Sequence, residues 1–269
     1  YTFSTAPADE APLVFLVTSD THSSQINGEM MTAAFQRHPE AAFSVLSGDL
    51  VGTGQYRDDW DRFFAYNEAY LPGRPLLPSI GNHDVSDGLG ADLYLAMFTL
   101  PENGAPDIEP QRTYTLRYGN TLMINLDSSS PIEAQTPWLR KVLEETDATW
   151  KFAVFHFPPY APAQEYPDIL REWAPLFDEY HVDFVLGGHV HRHLRTHPLR
   201  GGQIMDSPAE GTIYLISVGV PGRPRGTERS KLAAAADTSG APHYMRFAID
   251  GKRLHAQTIT AEGEVLDEF

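Results

Sequence analysis

Five short apolar runs in this chain each stop at residues that can hold a cation or move a proton. That recurrence constrains the fold more than any other feature. Leu13–Val17 runs into Ser19-Asp20-Thr21-His22, Phe43–Leu46 into Gly48-Asp49, and Leu76–Ile80 into Gly81-Asn82-His83-Asp84. Phe152–Phe155 runs into His156, and Phe184–Leu186 into Gly188-His189-Val190-His191. Short runs of Val, Leu, Ile and Phe closed by Gly or Asp read as buried strands. Helical pattern fills the gaps at 28–37, Asp58–Tyr70, Thr136–Glu145 and Asp168–Tyr180, and the second of these has acidic residues in its first turn. Tyr114–Arg117 and Leu122–Leu126 enclose Gly119-Asn120, and later strands fall at 212–218, 244–249 and 254–259, the last pair joined by Asp250-Gly251. Alternation early and hairpins late predict an α/β protein with mixed sheets.

The rest of the composition narrows the class. A chain of 269 residues suits one large domain. The boundaries expected are a small, polar, proline-bearing linker over 1–12 and a single domain over 13–269. Residues 221–242 form the one stretch expected to be flexible. A formal charge of −16 argues against a nucleic-acid binder, except where nucleic acid is a substrate, because phosphate binding needs an excess of Lys and Arg. With no cysteine there is no disulfide, thiolate ligand or cysteine nucleophile. The longest strongly apolar run, Leu13–Val17, is far too short to span a membrane. The chain also lacks a G-x-S-x-G elbow, a Walker-type loop, and a G-x-G-x-x-G after its first strand.

The strand ends carry the chemistry. In open α/β sheets ligands bind beyond the carboxyl ends of the strands. Asp20-x-His22 and His189-x-His191 place two ligands two residues apart, on one side of the chain if the backbone is extended. Oxygen donors from Asp and Asn together with imidazole nitrogens suit Mn, Fe, Zn or Co rather than a soft metal. One Asp-x-His arises readily by chance, and Gly48-Asp49 alone could be a turn. Five such groups, in this order and all at strand ends, are not explained that way.

The ordered set resembles the signature of the calcineurin-like metallophosphoesterases: D-x-H, G-D, G-N-H-D or G-N-H-E, a lone H, then G-H-x-H. The resemblance covers roughly residues 13–219 and implies two packed mixed β-sheets flanked by helices, a four-layer αββα sandwich. It also implies two divalent or trivalent metal ions (Mn, Fe, Zn, Co or Mg). One would be held by Asp20, His22, Asp49 and His191, the other by Asp49, Asn82, His156 and His189, with Asp49 as the bridge. His83 would protonate the leaving oxygen and Asp84 would orient it. The implied activity is hydrolysis of small phosphate mono- or diesters by in-line attack of a metal-bound hydroxide. The alternative is a non-catalytic protein-binding scaffold of the same fold.

Within the family, Phe155-His156-Phe157-Pro158-Pro159-Tyr160, Arg195-Thr196-His197-Pro198 and the leading residues 1–7 look like the purple-acid-phosphatase branch, where a fibronectin-like domain comes first. Two positions depart from it. Gly52 stands where that branch has a tyrosine ligand, and His22 is present where the branch lacks a histidine. Without the tyrosinate no purple colour is expected.

Seven of the 20 Lys and Arg residues fall between 192 and 231: Arg192, Arg195, Arg200, Arg223, Arg225, Arg229 and Lys231. They suggest a patch that holds phosphate or a solvated loop. His193 and His197 are candidates to touch substrate, and Tyr160 to line the pocket. Asp58–Tyr70, with Trp60, Phe63, Phe64 and Tyr66, reads as a core-packing helix. The absent cysteines, the first residue Tyr1 and the leading segment point to a secreted or periplasmic protein, and otherwise to a cytoplasmic one.

Overall fold

In the computed structural model, residues 6, 11–86, 88–161, 166–221, 230–237 and 239–269 are described. The chain begins with β1 (Leu13–Thr18), α1 (Gln25–Arg37), β2 (Phe43–Ser47), α2 (Arg57–Asn67), β3 (Leu76–Ser79) and α3 (Asp92–Met97). The hairpin β4 (Tyr114–Tyr118) and β5 (Thr121–Asn125) follows, then α4 (Ile132–Glu145), β6 (Trp150–Val154), α5 (Pro167–Glu172), α6 (Ala174–Tyr180) and β7 (Phe184–Gly187). The last part is β8 (His193–Thr196), β9 (Leu199–Arg200), β10 (Gln203–Ile204), β11 (Ile213–Ile216), β12 (Ala233–Asp237), β13 (His243–Asp250), β14 (Arg253–Thr260) and β15 (Val265–Glu268).

These strands form two mixed sheets, ordered β15-β14-β13-β1-β2-β3 and β12-β8-β11-β7-β6-β5-β4, with β9 and β10 as a separate pair. In the first, β1, β2 and β3 run parallel while β13 is antiparallel to β1. In the second, β5, β6, β7 and β11 are parallel, and β4 and β8 lie antiparallel beside them. Alternation along β1 explains the layering. Leu13, Phe15 and Val17 pack between the sheets with Phe43, Phe152, Phe184 and Phe247, whereas Leu16 faces Met30, Met31 and Phe35 on α1. Phe15 is stacked on Phe43 and Phe247 at 5.3 and 5.0 Å and meets Phe152 edge-on at 5.3 Å. Truncating such a fully buried ring costs about 3–5 kcal/mol. Helices α2 and α3 cover the rest of the first sheet through Trp60, Phe63 and Tyr94, and α4–α6 cover the second through Leu139, Ile169 and Phe177. The four-layer αββα sandwich is the architecture expected.

Several local expectations change. The helix expected over Asp168–Tyr180 is two helices meeting at Trp173, because Pro175 has no N–H to donate and is tolerated only in a first turn. The stretch 221–242 is not uniformly irregular: Ala233–Asp237 pairs with β8, although an alanine run has little strand propensity of its own. The short α3, the strand β8 and the edge strand β15 carry no strong periodicity and escape the sequence pattern. Most of the linker expected over 1–12, and Arg223, Arg225 and Arg229, lie outside the described residues. No described helix is long and apolar enough to cross a membrane.

Candidate metal centre

The carboxyl ends of β1, β2, β3, β6 and β7 meet at one end of the sandwich, and every expected ligand follows one of them. Three groups of ligand atoms form there, each with its atoms within 4.8 Å of one another: Asp20, His22 and His191; His22, Asp49 and His83; Asp49, His156 and His189. Asp49 belongs to two of the groups and His22 to two. His156 Nε2 stands 3.1 Å and His22 Nε2 3.9 Å from Asp49 Oδ2, and His191 Nε2 is 3.1 Å from Asp20 Oδ1. The Nε2 atoms of His22 and His191 face each other at 3.2 Å. Asn82 follows β3 beside this cluster, with its side-chain oxygen out of solvent.

The backbone here is not the extended chain that the two-residue spacings suggested. Asp20, His22, Asp49, His189 and His191 have φ of 51°, 45°, 53°, 69° and 30°. Such left-handed conformations persist in L-residues only where the surroundings enforce them, and they collect at functional sites. The enforcing contacts are visible. Asp20 accepts the His189 N–H through both carboxylate oxygens at 3.0 and 2.9 Å. The backbone N–H groups of Asp20 and His22 donate to the carbonyls of Gly48 and Asp49. Glycine is required where these loops touch. A Cβ on Gly48 (φ 98°) would lie 2.4 Å from the His156 ring, and one on Gly188 would lie 2.0 Å from Ser19 Oγ.

His156 is held as a metal ligand would need to be. It is fully buried, and its Nδ1–H donates to the Ser47 carbonyl at 2.9 Å. That bond fixes Nδ1 as a donor and turns Nε2 toward Asp49, as in ligating histidines. Nε2 lies 3.1 Å from Asp49 Oδ2, in ion-pair contact but outside good hydrogen-bond geometry. Burial disfavours a charged His156, but the Asp49 carboxylate outweighs it and raises the imidazole to about 9. Burial likewise opposes the ionised Asp49, yet His156 and then His22 and His83 hold its carboxyl well below the usual range. His189 is pushed down to about 4 by burial and by His156. Burial lowers His22, and the hydrogen bond that His191 donates to the Asp20 carboxylate raises His191. Converging lone pairs of oxygen and imidazole nitrogen, with one buried nitrogen left open, fit borderline dications such as Mn, Fe, Zn or Co.

His83 is exposed at the mouth, its ring edge-on to His22 at 4.7 Å. The expected contact to Asp84 is replaced by another: the ring Nδ1–H donates to the Gly52 carbonyl at 2.7 Å. Asp84 is buried and accepts the N–H groups of Val51 and Gly81 at 3.1 and 2.8 Å. Burial and the nearby Asp49 charge push its carboxyl up to about 8. Asp84 therefore ties the loop after β2 to the loop after β3.

Other candidates fall elsewhere. His193 is buried with Nε2 3.3 Å from Asp267, and Arg195 donates twice to the same carboxylate at 2.7 and 2.9 Å while lying over the Phe269 ring. Tyr160 packs edge-on against Tyr214, and Trp60 and Phe63 are core residues as expected. His197 lines a mostly apolar cavity of about 890 Å³ at the far end of the sandwich, among Trp150, Phe184 and Phe269. That cavity contains none of the ligand groups. Sequence reasoning missed two aromatic residues at the site, Phe157 and Tyr166, which stack on each other beside His189. Phe157 directly follows His156, a position that could have signalled it.

Residues 13–193 match the sequence model of the calcineurin-like phosphoesterases. Among curated proteins, the chain is 25% identical over 277 residues to purple acid phosphatase 21 of Arabidopsis thaliana, covering 95% of this chain and 61% of that one. It is 26% identical over 208 residues to a probable cyclic nucleotide phosphodiesterase of Rhodopseudomonas palustris, covering 66% and 71%. Among solved structures, a purple acid phosphatase from yellow lupin seeds superposes with a TM-score of 0.87 at 18% identity, over 99% of this chain and 55% of the other. The chain spans about half the length of several curated relatives it matches.

Proposed function

The chain belongs to the calcineurin-like phosphoesterase family, and on that premise we propose that it hydrolyses small phosphate esters at a dinuclear metal centre. One observation carries the reading: two ligand groups at the strand ends share the single carboxylate of Asp49. One metal would take Asp20, His22, Asp49 and His191, and the other Asp49, Asn82, His156 and His189. When bound, the pair supplies Lewis acidity and lowers the pKa of a nucleophilic water.

The protein's own residues supply the rest. Asp20 and Asp49 bring two negative charges to a place for two dications, so the loaded centre is net positive within an otherwise acidic molecule and draws in phosphate. Asp49, common to two of the ligand groups, would offset the repulsion between two bound cations. His83, exposed and held through Nδ1 by the Gly52 carbonyl, has Nε2 left to give a proton to the leaving oxygen. Asp84 keeps the two loops in register and so positions that imidazole. Gly52 leaves no tyrosinate to ligate, which supports a colourless centre of open metal identity. We place its action outside the cytoplasm, with which the cysteine-free composition is compatible; cell fractionation tests this.

The test is hydrolysis of p-nitrophenyl phosphate and methyl p-nitrophenyl phosphate after reloading the metal-free protein separately with Mn, Zn, Fe, Co or Mg. Turnover with at least one metal at a stoichiometry of two is expected. Two bound metals without turnover of either ester would return the chain to a protein-binding scaffold.

A further inference from the structure

Phe157 and Tyr166 form a parallel stacked pair, with centroids 4.9 Å apart and planes within 6°. The pair is built onto the metal centre. Phe157 meets His189 edge-on at 4.8 Å and His156 at 5.5 Å, and Tyr166 meets His189 at 6.2 Å. Both rings are half-buried: they pack against the core of the second sheet on one side and keep part of their surface open to solvent. His83 lies on a different flank. Its ring contacts His22, and its backbone N–H donates to Asp49 Oδ1, whereas His156 Nε2 stands at Oδ2. A phosphate centred on Asp49 would thus have its leaving oxygen toward His83 and a second substituent toward the aromatic pair. A monoester has no such second substituent.

We propose that the Phe157–Tyr166 pair binds a planar ring on the retained ester group, making phosphodiesters with an aryl or nucleoside group the preferred substrates. The proposal rests on the phosphoesterase reading above. In the reaction, the bond from phosphorus to the leaving oxygen breaks, a bond to the oxygen of water forms, His83 supplies the leaving group's proton, and a monoester carrying the ring is released. Face-on contact with an aromatic side chain adds binding beyond simple burial, enough for a preference of about fivefold to tenfold.

The experiment holds p-nitrophenol as the leaving group and varies only the retained group among methyl, phenyl and thymidine. The expected result is a kcat/KM for the phenyl and thymidine diesters about fivefold to tenfold above that of the methyl diester, seen mainly in KM. Tyr166→Leu should cut that ratio to about twofold, and Tyr166→Phe should retain it. A thermal melt confirms that each variant folds. Calorimetry without turnover gives a second readout: the metal-loaded protein should bind phenylphosphonate more tightly than methylphosphonate, and Tyr166→Leu should remove the difference. Hydrolysis of all three diesters with no ring preference would overturn the proposal and leave the phosphoesterase reading standing. A ring preference that survives Tyr166→Leu would move the ring elsewhere and overturn it too. If the phenyl group alone were preferred, the wall would serve aryl esters; if both rings were, it would accept a nucleobase as well. Failure to hydrolyse any ester would strike at the activity itself.

Discussion

His156 and His243 are both fully buried imidazoles, and their surroundings put them to opposite uses. His243, at the start of β13, donates from Nδ1 to the Ala241 carbonyl at 3.0 Å and accepts the Val218 N–H on Nε2 at 3.3 Å. Its backbone N–H returns a bond to the Val218 carbonyl, so the residue ties the first sheet to the chain after β11 in the second. Both ring nitrogens are used, and burial followed by the neighbouring His193 pushes it down to about 4. His156 has one nitrogen fixed and the other open beside a carboxylate, and is raised to about 9. Burial alone therefore does not mark a functional histidine. An open nitrogen facing a fixed negative charge does.

The harshest way to break this comparison is to remove the charge. Asp49→Ala should abolish stoichiometric metal binding and lower kcat/KM by at least about 1,000-fold, since in the proposed centre it withdraws the donor common to both metals. Metal content by mass spectrometry, read beside the rate, checks both parts; full metal occupancy in the variant would refute the bridging role. His83→Ala should lower kcat by about 100-fold or more while leaving two metals bound, because its histidine donates a proton rather than a lone pair. An unchanged rate with poor leaving groups would remove it from the acid role. At the next level, His156→Gln should weaken metal binding by more than about tenfold. His243→Gln should leave metal binding intact and cost about 1–3 kcal/mol of folding stability through its lost inter-sheet bonds. Equal effects of the two variants on metal affinity would erase the distinction.

Much of this site is legible in the sequence because strand ends and glycines punctuate it. The five parallel strands that carry ligands are apolar runs, and Gly48 and Gly188 stand where the loops touch. What stays hidden has a physical reason in each case. The Gly52 carbonyl that holds His83 is a backbone atom, and no residue type announces it. The role of Asp84 belongs to a fold contact between two loops rather than to its neighbour in sequence. Arg195 looks like a phosphate binder until β15 brings Asp267 across from the other sheet, a pairing between residues 72 apart. The left-handed φ values at Asp20 and His22 contradict the extended reading of D-x-H because tertiary hydrogen bonds, not local preference, set them. The fold class was accessible for a simpler reason: alternation within β1 and continuous apolarity in the parallel strands encode a two-sided burial that few architectures satisfy.

The smallest effect gives the finest test of the two histidines. An ordinary imidazole titrates near 6.5, and this is the value for the unfolded chain. With His243 lowered to about 4 in the fold, only the unfolded chain takes up a proton as pH falls below 6.5. The stability that depends on a neutral His243 is therefore fully present above 6.5 and is lost as pH falls toward 4. His156 has the opposite sign in metal-free protein: raised to about 9, its contribution is fully present below 6.5 and is lost as pH rises toward 9. Because the two trends oppose each other, wild-type stability alone cannot separate them, but the difference from His243→Gln can. Between about pH 7 and about pH 5.5, the wild-type advantage over His243→Gln should shrink by about 1 kcal/mol, measured by urea unfolding in chelator. The corresponding difference from His156→Gln should grow by nearly as much, about 0.8 kcal/mol, over the same range. If the His243 difference did not change with pH, the imidazole would have to accept a proton inside the fold. Its site would then resemble that of His156 although it has only the more distant charge of Asp237 and no carboxylate in ion-pair contact, and the rule that separates the two would fail.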